Sequence, residues 1–223
     1  MWAGSLEQFK KVEDAWGAGL VHSFRGRAER DAANYEQAEW EYNQCLKYFE
    51  LVGDDWGQGI GFSHLGMLAF QKDDPQKAMS LFEQRLRTAQ KAGFRQSIAY
   101  SNFLLGMAAW KLGQPEQVRT YMREALPYMY DISNFVTLAE CLLGLAWTEA
   151  EEGNFEQAAY LFGAVTRADE TQKLKMEFEH LYFHTPLIAD LRSRLQDEKH
   201  QEAFERGRNQ TLDQVAKEIL ESH

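Results

Sequence analysis

Apolar residues recur every three or four positions along almost the whole chain, the spacing that lays one apolar stripe along an α-helix. β-Branched residues nowhere gather into the alternation of a strand, and only four prolines interrupt 223 residues, so the pattern predicts an all-helical protein. The pattern also repeats. Gly26, Gly66 and Gly106 stand 40 residues apart with Ala146 in the fourth place, and Ala38, Ala78, Val118 and Ala158 follow each of these by twelve. Tyr42, Phe82, Met122 and Phe162 keep the same register, as do Trp16-Gly17 with Trp56-Gly57 and Pro75 with Pro115. A fixed period of this length marks a stack of similar supersecondary units.

Breakers divide each unit into two helices. Asp73-Asp74-Pro75, Gly113-Gln114-Pro115 and Gly153-Asn154-Phe155 form the internal turns, while Gly53-Asp54-Asp55 and Ala92-Gly93-Phe94 return the chain to the next unit. Proline at the first helical position forfeits no hydrogen bond, and Asp74 or Asn154 can cap the helix that follows. Each unit is thus a helical hairpin in which a glycine such as Gly66 or Gly106 lets the helices approach, with the small residue twelve positions on expected to face it. A lone hairpin cannot bury its stripe, so the hairpins must stack. Pro127 falls within the second helix of the third unit, where a kink is expected. Beyond the repeats, Thr185-Pro186 predicts the start of a helix to about Asp197. A further helix is expected over Glu198 to Arg208, and Thr211-Leu212-Asp213-Gln214 reads as a capping box before a last short one.

Leu65-Gly66 with Ala69, a turn, then Ala78 and Phe82 resembles the tetratricopeptide repeat, whose common unit of about 34 residues is shorter than this one. The longer variant, with its return turn from Val52 to Ile60, is similar to repeats in the carboxy-terminal sensor regions of large bacterial signal-transduction ATPases of the LuxR and NB-ARC-containing regulator type. The stretch from Ala159 to Ala164, Phe178-Glu179 with Leu181, and Ala203-Phe204 through Gly207-Arg208 to Thr211–Ala216 resembles the tail that closes such regions. The resemblance implies an all-α fold: a right-handed superhelical solenoid of tetratricopeptide hairpins, with four repeats over residues 14–170 and a carboxy-terminal helical cap over 171–223. Residues 1–13 read as a half repeat, because Trp2, Leu6, Phe9 and Val12 align by the same shift with Tyr42, Leu46, Phe49 and Val52. They are expected either to be the second helix of a unit whose first helix lies upstream, the chain then being a piece of a longer protein, or to be a natural end cap. No Walker A pattern occurs, so any ATPase portion is expected outside this chain.

What the resemblance implies about function is a non-catalytic protein–protein interaction or signal-sensing module, holding a peptide or effector against the first helices of its hairpins. The facing positions are then Arg27, Met67, Met107 and Trp147, with Arg30, Phe70 and Trp110 a turn on and Ser63 and Phe103 at the other side. A methionine- and aromatic-rich stripe of this kind suits an adaptable groove, although the same side chains could bury one another or lie under the terminal helices. The alternative is a structural scaffold in which Trp2, Leu6, Phe9 and Val12 dock on a second copy to make a homodimer.

Composition narrows the field. A net charge of −10 disfavours direct binding to nucleic acid, and no apolar run approaches the length of a membrane span. Cys45 and Cys141 are 96 residues apart and form no CxxC, which with an amino terminus lacking a leader pattern suggests a reducing cytoplasm. His180 and His184 have the spacing of two metal ligands, with Glu177 a conceivable third, but the intervening residues are apolar and neither a metal site nor a catalytic group is expected. Gly61 to Gly66 around Ser63 lacks the glycine and strand of a nucleophile elbow, and Gly57-Gln58-Gly59-Ile60-Gly61 opens a repeat helix rather than following a strand. Asp213, Lys217, Glu218 and Glu221 make the last helix acidic, unsuited to reading DNA. Glu36, Glu39, Glu41 and Glu50 read as a solvated helix face. Arg25, Arg27 and Arg30 are expected to pair locally with Glu29 and Asp31, or to form one pole of a groove.

Overall fold

A computed structural model describes residues 14–172 and 178–221. Among them every regular element is helical: α1 (Ala15–Asp31), α2 (Tyr35–Leu51), α3 (Asp55–Gln71), α4 (Pro75–Ala92), α5 (Arg95–Lys111), α6 (Pro115–Asp131), α7 (Phe135–Glu151), α8 (Phe155–Gln172), α9 (Phe178–Arg194), a short 3₁₀ turn (Glu198–His200), α10 (Gln201–Arg208) and α11 (Leu212–Glu221). The all-α reading and the packing of consecutive helices as hairpins hold.

The sequence period of 40 is two structural periods of twenty. Ala33, Gly53, Asp73, Gly93, Gly113, Ser133 and Gly153 each adopt the left-handed backbone conformation, with φ between 53° and 81°. At every one of these turns the next residue's N–H reaches back five residues: Asn34 to the Glu29 carbonyl at 2.8 Å, Asp54 to Phe49 at 3.0 Å, Asp74 to Ala69 at 2.9 Å, and so on to Asn154 on Glu149 at 2.8 Å. This is the Schellman closure, which satisfies carbonyls that a helix end leaves open. The same residue then begins the following helix. Its carbonyl accepts from the residue four on, and at Asp74 and Asn134 its side chain also accepts the N–H of Lys77 and Thr137.

Two compact units divide the chain, the first running to Ser101 and the second from Asn102. In the first, α1 pairs with α2, α3 pairs with α4, and α2 packs on α3. A Cβ added at Gly26 would lie 2.4 Å from the Tyr42 ring, and one at Gly66 would lie 2.4 Å from the Phe82 ring. The aromatic side chain sixteen positions on therefore fills the glycine's space. Ala38 and Ala78, expected there, are buried nearby but are not the nearest neighbours.

In the second unit Met122 takes the aromatic's place, between Gly106 and Gly144. Arg119 ties α6 to α7 through Glu149 at 2.9 Å and Glu152 at 2.6 Å. The helix α6 runs unbroken past Pro127. Helices α8 and α10 approach backbone to backbone: a Cβ at Gly163 would meet the Phe204 carbonyl oxygen at 2.1 Å, and one at Gly207 the Tyr160 carbonyl oxygen at 1.9 Å. Pro186 does not start a helix, because α9 begins at Phe178 and carries the proline in its interior. The capping box is formed, with Thr211 N–H donating to Gln214 Oε1 at 2.8 Å and Gln214 N–H to Thr211 Oγ1 at 3.2 Å.

Two substitutions test this frame by reversible urea unfolding. Gly207→Ala drives a methyl group into a carbonyl that belongs to a packed helix, and is expected to cost about 3 kcal/mol. Ala33→Gly relieves a left-handed alanine whose φ is 61°, and is expected to add about 1 kcal/mol.

Candidate functional site

The inner-helix stripe is in place but largely hidden. In the first unit Met67 and Phe70 are buried, Ser63 is half-buried and Arg27 is exposed. Arg30 is buried and bonds Asp31 at 3.1 Å. In the second unit Phe103, Met107 and Trp147 are buried and Trp110 keeps partial exposure. The cover there is the chain's own α9, which packs on α7. Its Phe183 ring stands nearly perpendicular to Phe103 and Trp110, at centroid distances of 6.1 and 5.4 Å. Phe183, Leu187 and Leu191, four residues apart along α9, are all without exposed surface. An amphipathic helix thus lies on the aromatic wall, the geometry of helix-in-groove recognition made within one chain.

The acidic face expected along α2 is interrupted. Glu41 has no exposed surface: His22 Nδ1 lies 2.6 Å from its Oε2, and Arg25 Nη2 donates to its Oε1 at 2.8 Å. His22 stacks on Tyr48 with centroids 5.4 Å apart. The correction has a plain cause. A carboxylate can sit at an inward position when a guanidinium and an imidazole from the facing helix hold its oxygens, and those partners are 16 and 19 residues away, outside any local charge pattern. Glu29 is engaged by Asn34 at 2.9 Å rather than by an arginine.

The weaker motifs resolve into packing or fall outside the described residues. Gly57 and Gly61 are helical positions closed by Phe49 and Leu46. His184 is buried and lies 2.9 Å from Asp169, while Glu177 and the His180 side chain are outside the described residues, as are Trp2, Leu6, Phe9 and Val12. Among the described residues no group of three or more His, Cys, Asp or Glu is arranged to hold a metal. Both cysteines are free and buried, and burial pushes the Cys45 thiol up to about 12 and raises Cys141 as well, so neither is an activated nucleophile.

One cluster escaped the sequence reading. Arg85, on α4, directs Nε to the Ser63 hydroxyl and Nη1 to the Ser101 hydroxyl and, at 2.6 Å, to the Ser97 carbonyl. Its guanidinium carbon lies 5.0 Å from the centre of the Tyr100 ring. Burial pulls its pKa down to about 10, which leaves it charged at neutral pH. The signal was available in the 40-residue register. The positions equivalent to Arg85 are Cys45, Ala125 and Val165, each without exposed surface.

Among the described residues no helix is long and apolar enough to cross a membrane. No curated protein matches the chain. The family model of the tetratricopeptide repeat matches residues 99–126, which run along α5, through the Gly113 turn and into α6 just short of Pro127.

Proposed function

We propose that the chain is a non-catalytic interaction and sensing module of a bacterial, cytoplasmic signal-transduction ATPase regulator, which takes an amphipathic helix or a peptide on its inner-helix face. Tetratricopeptide repeats generally build protein–protein interaction modules rather than enzymes, and the repeat matched at residues 99–126 supports that class. The regulator context rests on the 40-residue units and the tail described above. The observation that carries the binding mode is the seating of α9 on Phe103 and Trp110. The face accepts a helix whose apolar side chains recur every four residues, and a partner helix with the same stripe would compete for it. Phe103, Met107 and Trp147 shape the wall, and Trp110 meets the ligand. In the first unit Arg27 and Ser63 are the accessible members of the corresponding stripe, with Arg30, Met67 and Phe70 behind them. A ligand that prefers the face without α9 shifts the population toward that state, which is how binding could be signalled.

A labelled peptide with the sequence of α9, titrated into the whole chain and followed by fluorescence anisotropy, tests the reading. The Phe183→Ala variant should bind it about thirtyfold more tightly than the unaltered chain, and adding Trp110→Ala should remove that gain. A peptide that binds neither chain would sink the proposal.

A further inference from the structure

The Arg85 cluster breaks the repeat at the point where breaking it is most costly. A position that other hairpins bury with Cys45, Ala125 or Val165 holds a half-buried cation here, and Ser101 beside it departs from the repeat as well. Ser63 repeats the Ser23 of the preceding unit where the next has Phe103, and Ser101 stands where the adjacent units have Gly61 and Cys141. Departures of a sequence from its own local rule mark functional or strained sites.

The charge has neutral partners only. Two serine hydroxyls, a backbone carbonyl and an aromatic ring hold the guanidinium, and among the described residues no carboxylate is in ion-pair contact with it. Those hydrogen bonds use Nε and Nη1, leaving Nη2 with donors to offer. Arg85 also lines a small cleft of about 30 Å³, whose other walls include Asp55, Trp56, Ile60, Phe94 and Ser97. Trp56 and Phe94 are each 45% exposed and offer ring faces at its edge. Asp55 is already engaged by Lys91 Nζ at 2.9 Å, so that pair cancels and the cleft presents the single positive charge of Arg85.

We propose that this cleft binds a small organic carboxylate with an aromatic or branched apolar body, the carboxylate on the Arg85 guanidinium and the body against Trp56 and Phe94. One unbalanced cation matches a monoanion better than a divalent phosphate. A cavity of about 30 Å³ accepts little more than the carboxylate itself, so the ring of the ligand lies over the exposed faces of Trp56 and Phe94. The guanidinium fork is the side chain best shaped to hold a carboxylate, and the apolar walls supply the burial that a bare anion would not use. The site belongs to the first unit and does not depend on the helix-binding face proposed above.

Isothermal titration of the whole chain with phenylacetate, with 2-phenylacetamide and inorganic phosphate as parallel arms, tests the assignment. Phenylacetate is expected to saturate the protein and shift the Trp56 indole resonance, with both control compounds at least tenfold weaker. Arg85→Met, which restores the apolar character of the equivalent positions, should keep the helical circular dichroism and lose ten- to a hundredfold in affinity. Trp56→Ala removes only an exposed cleft wall and should weaken binding several-fold, and it serves as the probe if Arg85→Met does not fold. Equal affinity for the amide would show an apolar cleft indifferent to charge, and equal affinity for phosphate a general anion site; either overturns the proposal. So does the lack of saturation at concentrations on the order of 10 mM, or binding that survives both substitutions.

Discussion

The left-handed residue that recurs every twenty positions from Ala33 to Gly153 governs the rest of the molecule. Its turn closes a Schellman bond onto the helix behind and hands the following residue to the helix ahead as its cap, so no residue is spare and each helix is held to 17 or 18 residues. A helix of that length is about 25 Å long. Because the interval never slips, the same face returns inward in every hairpin. That is why the space over Gly26, Gly66 and Gly106 is filled each time by the residue sixteen positions later, an aromatic ring twice and Met122 once. An insertion of a single residue in any helix would rotate every later side chain on it by about 100° and expose half the stripe.

Stacking hairpins leaves an apolar wall at the end of the array, and such a wall must be covered or used. In the second unit one helix of the chain itself covers it. The stripe Phe183, Leu187 and Leu191 gives α9 a face that completes the core around Phe103 and Trp110, and the chemistry of that cover is indistinguishable from that of a bound partner. The residues that sequence logic assigns to recognition and those that packing assigns to the core are thus one set. Exposure alone separates the roles, and Trp110 alone in this wall of the second unit retains some.

The hairpins were legible because they rest on period and punctuation, which are local. Glycine at residues 53, 93, 113 and 153 announces its turn, whereas Ala33 and Ser133 adopt the same conformation without any compositional sign, and only the register betrays them. Pro186 misleads for a related reason: proline favours the first turn of a helix, yet the apolar contacts of Phe183 on one side of it and Leu187 on the other carry α9 straight through. Glu41 was illegible in a deeper sense. Its charge looks solvated in any short window, and the His22 and Arg25 that hold its oxygens belong to a different helix. The site residues suffered most, since facing positions can be counted from a repeat, but what covers them comes from a helix outside it.

Glu41 and Arg85 are the same kind of departure, a charge at an inward position of an apolar repeat, and the contrast between them separates structure from site. Glu41 is closed: its oxygens are taken by a guanidinium and an imidazole at 2.8 and 2.6 Å, its exposed surface is nil, and removing Arg25 would leave the carboxylate buried and unbalanced. Arg85 is open. Its hydroxyl and carbonyl partners orient it without neutralising it, and it borders a cleft rather than a packed interface. A repeat that merely needed volume there would use the alanine or valine that its own units use elsewhere. Holding a cation in fixed orientation at neutral partners costs free energy, and the anion proposed for this cleft would offset that cost.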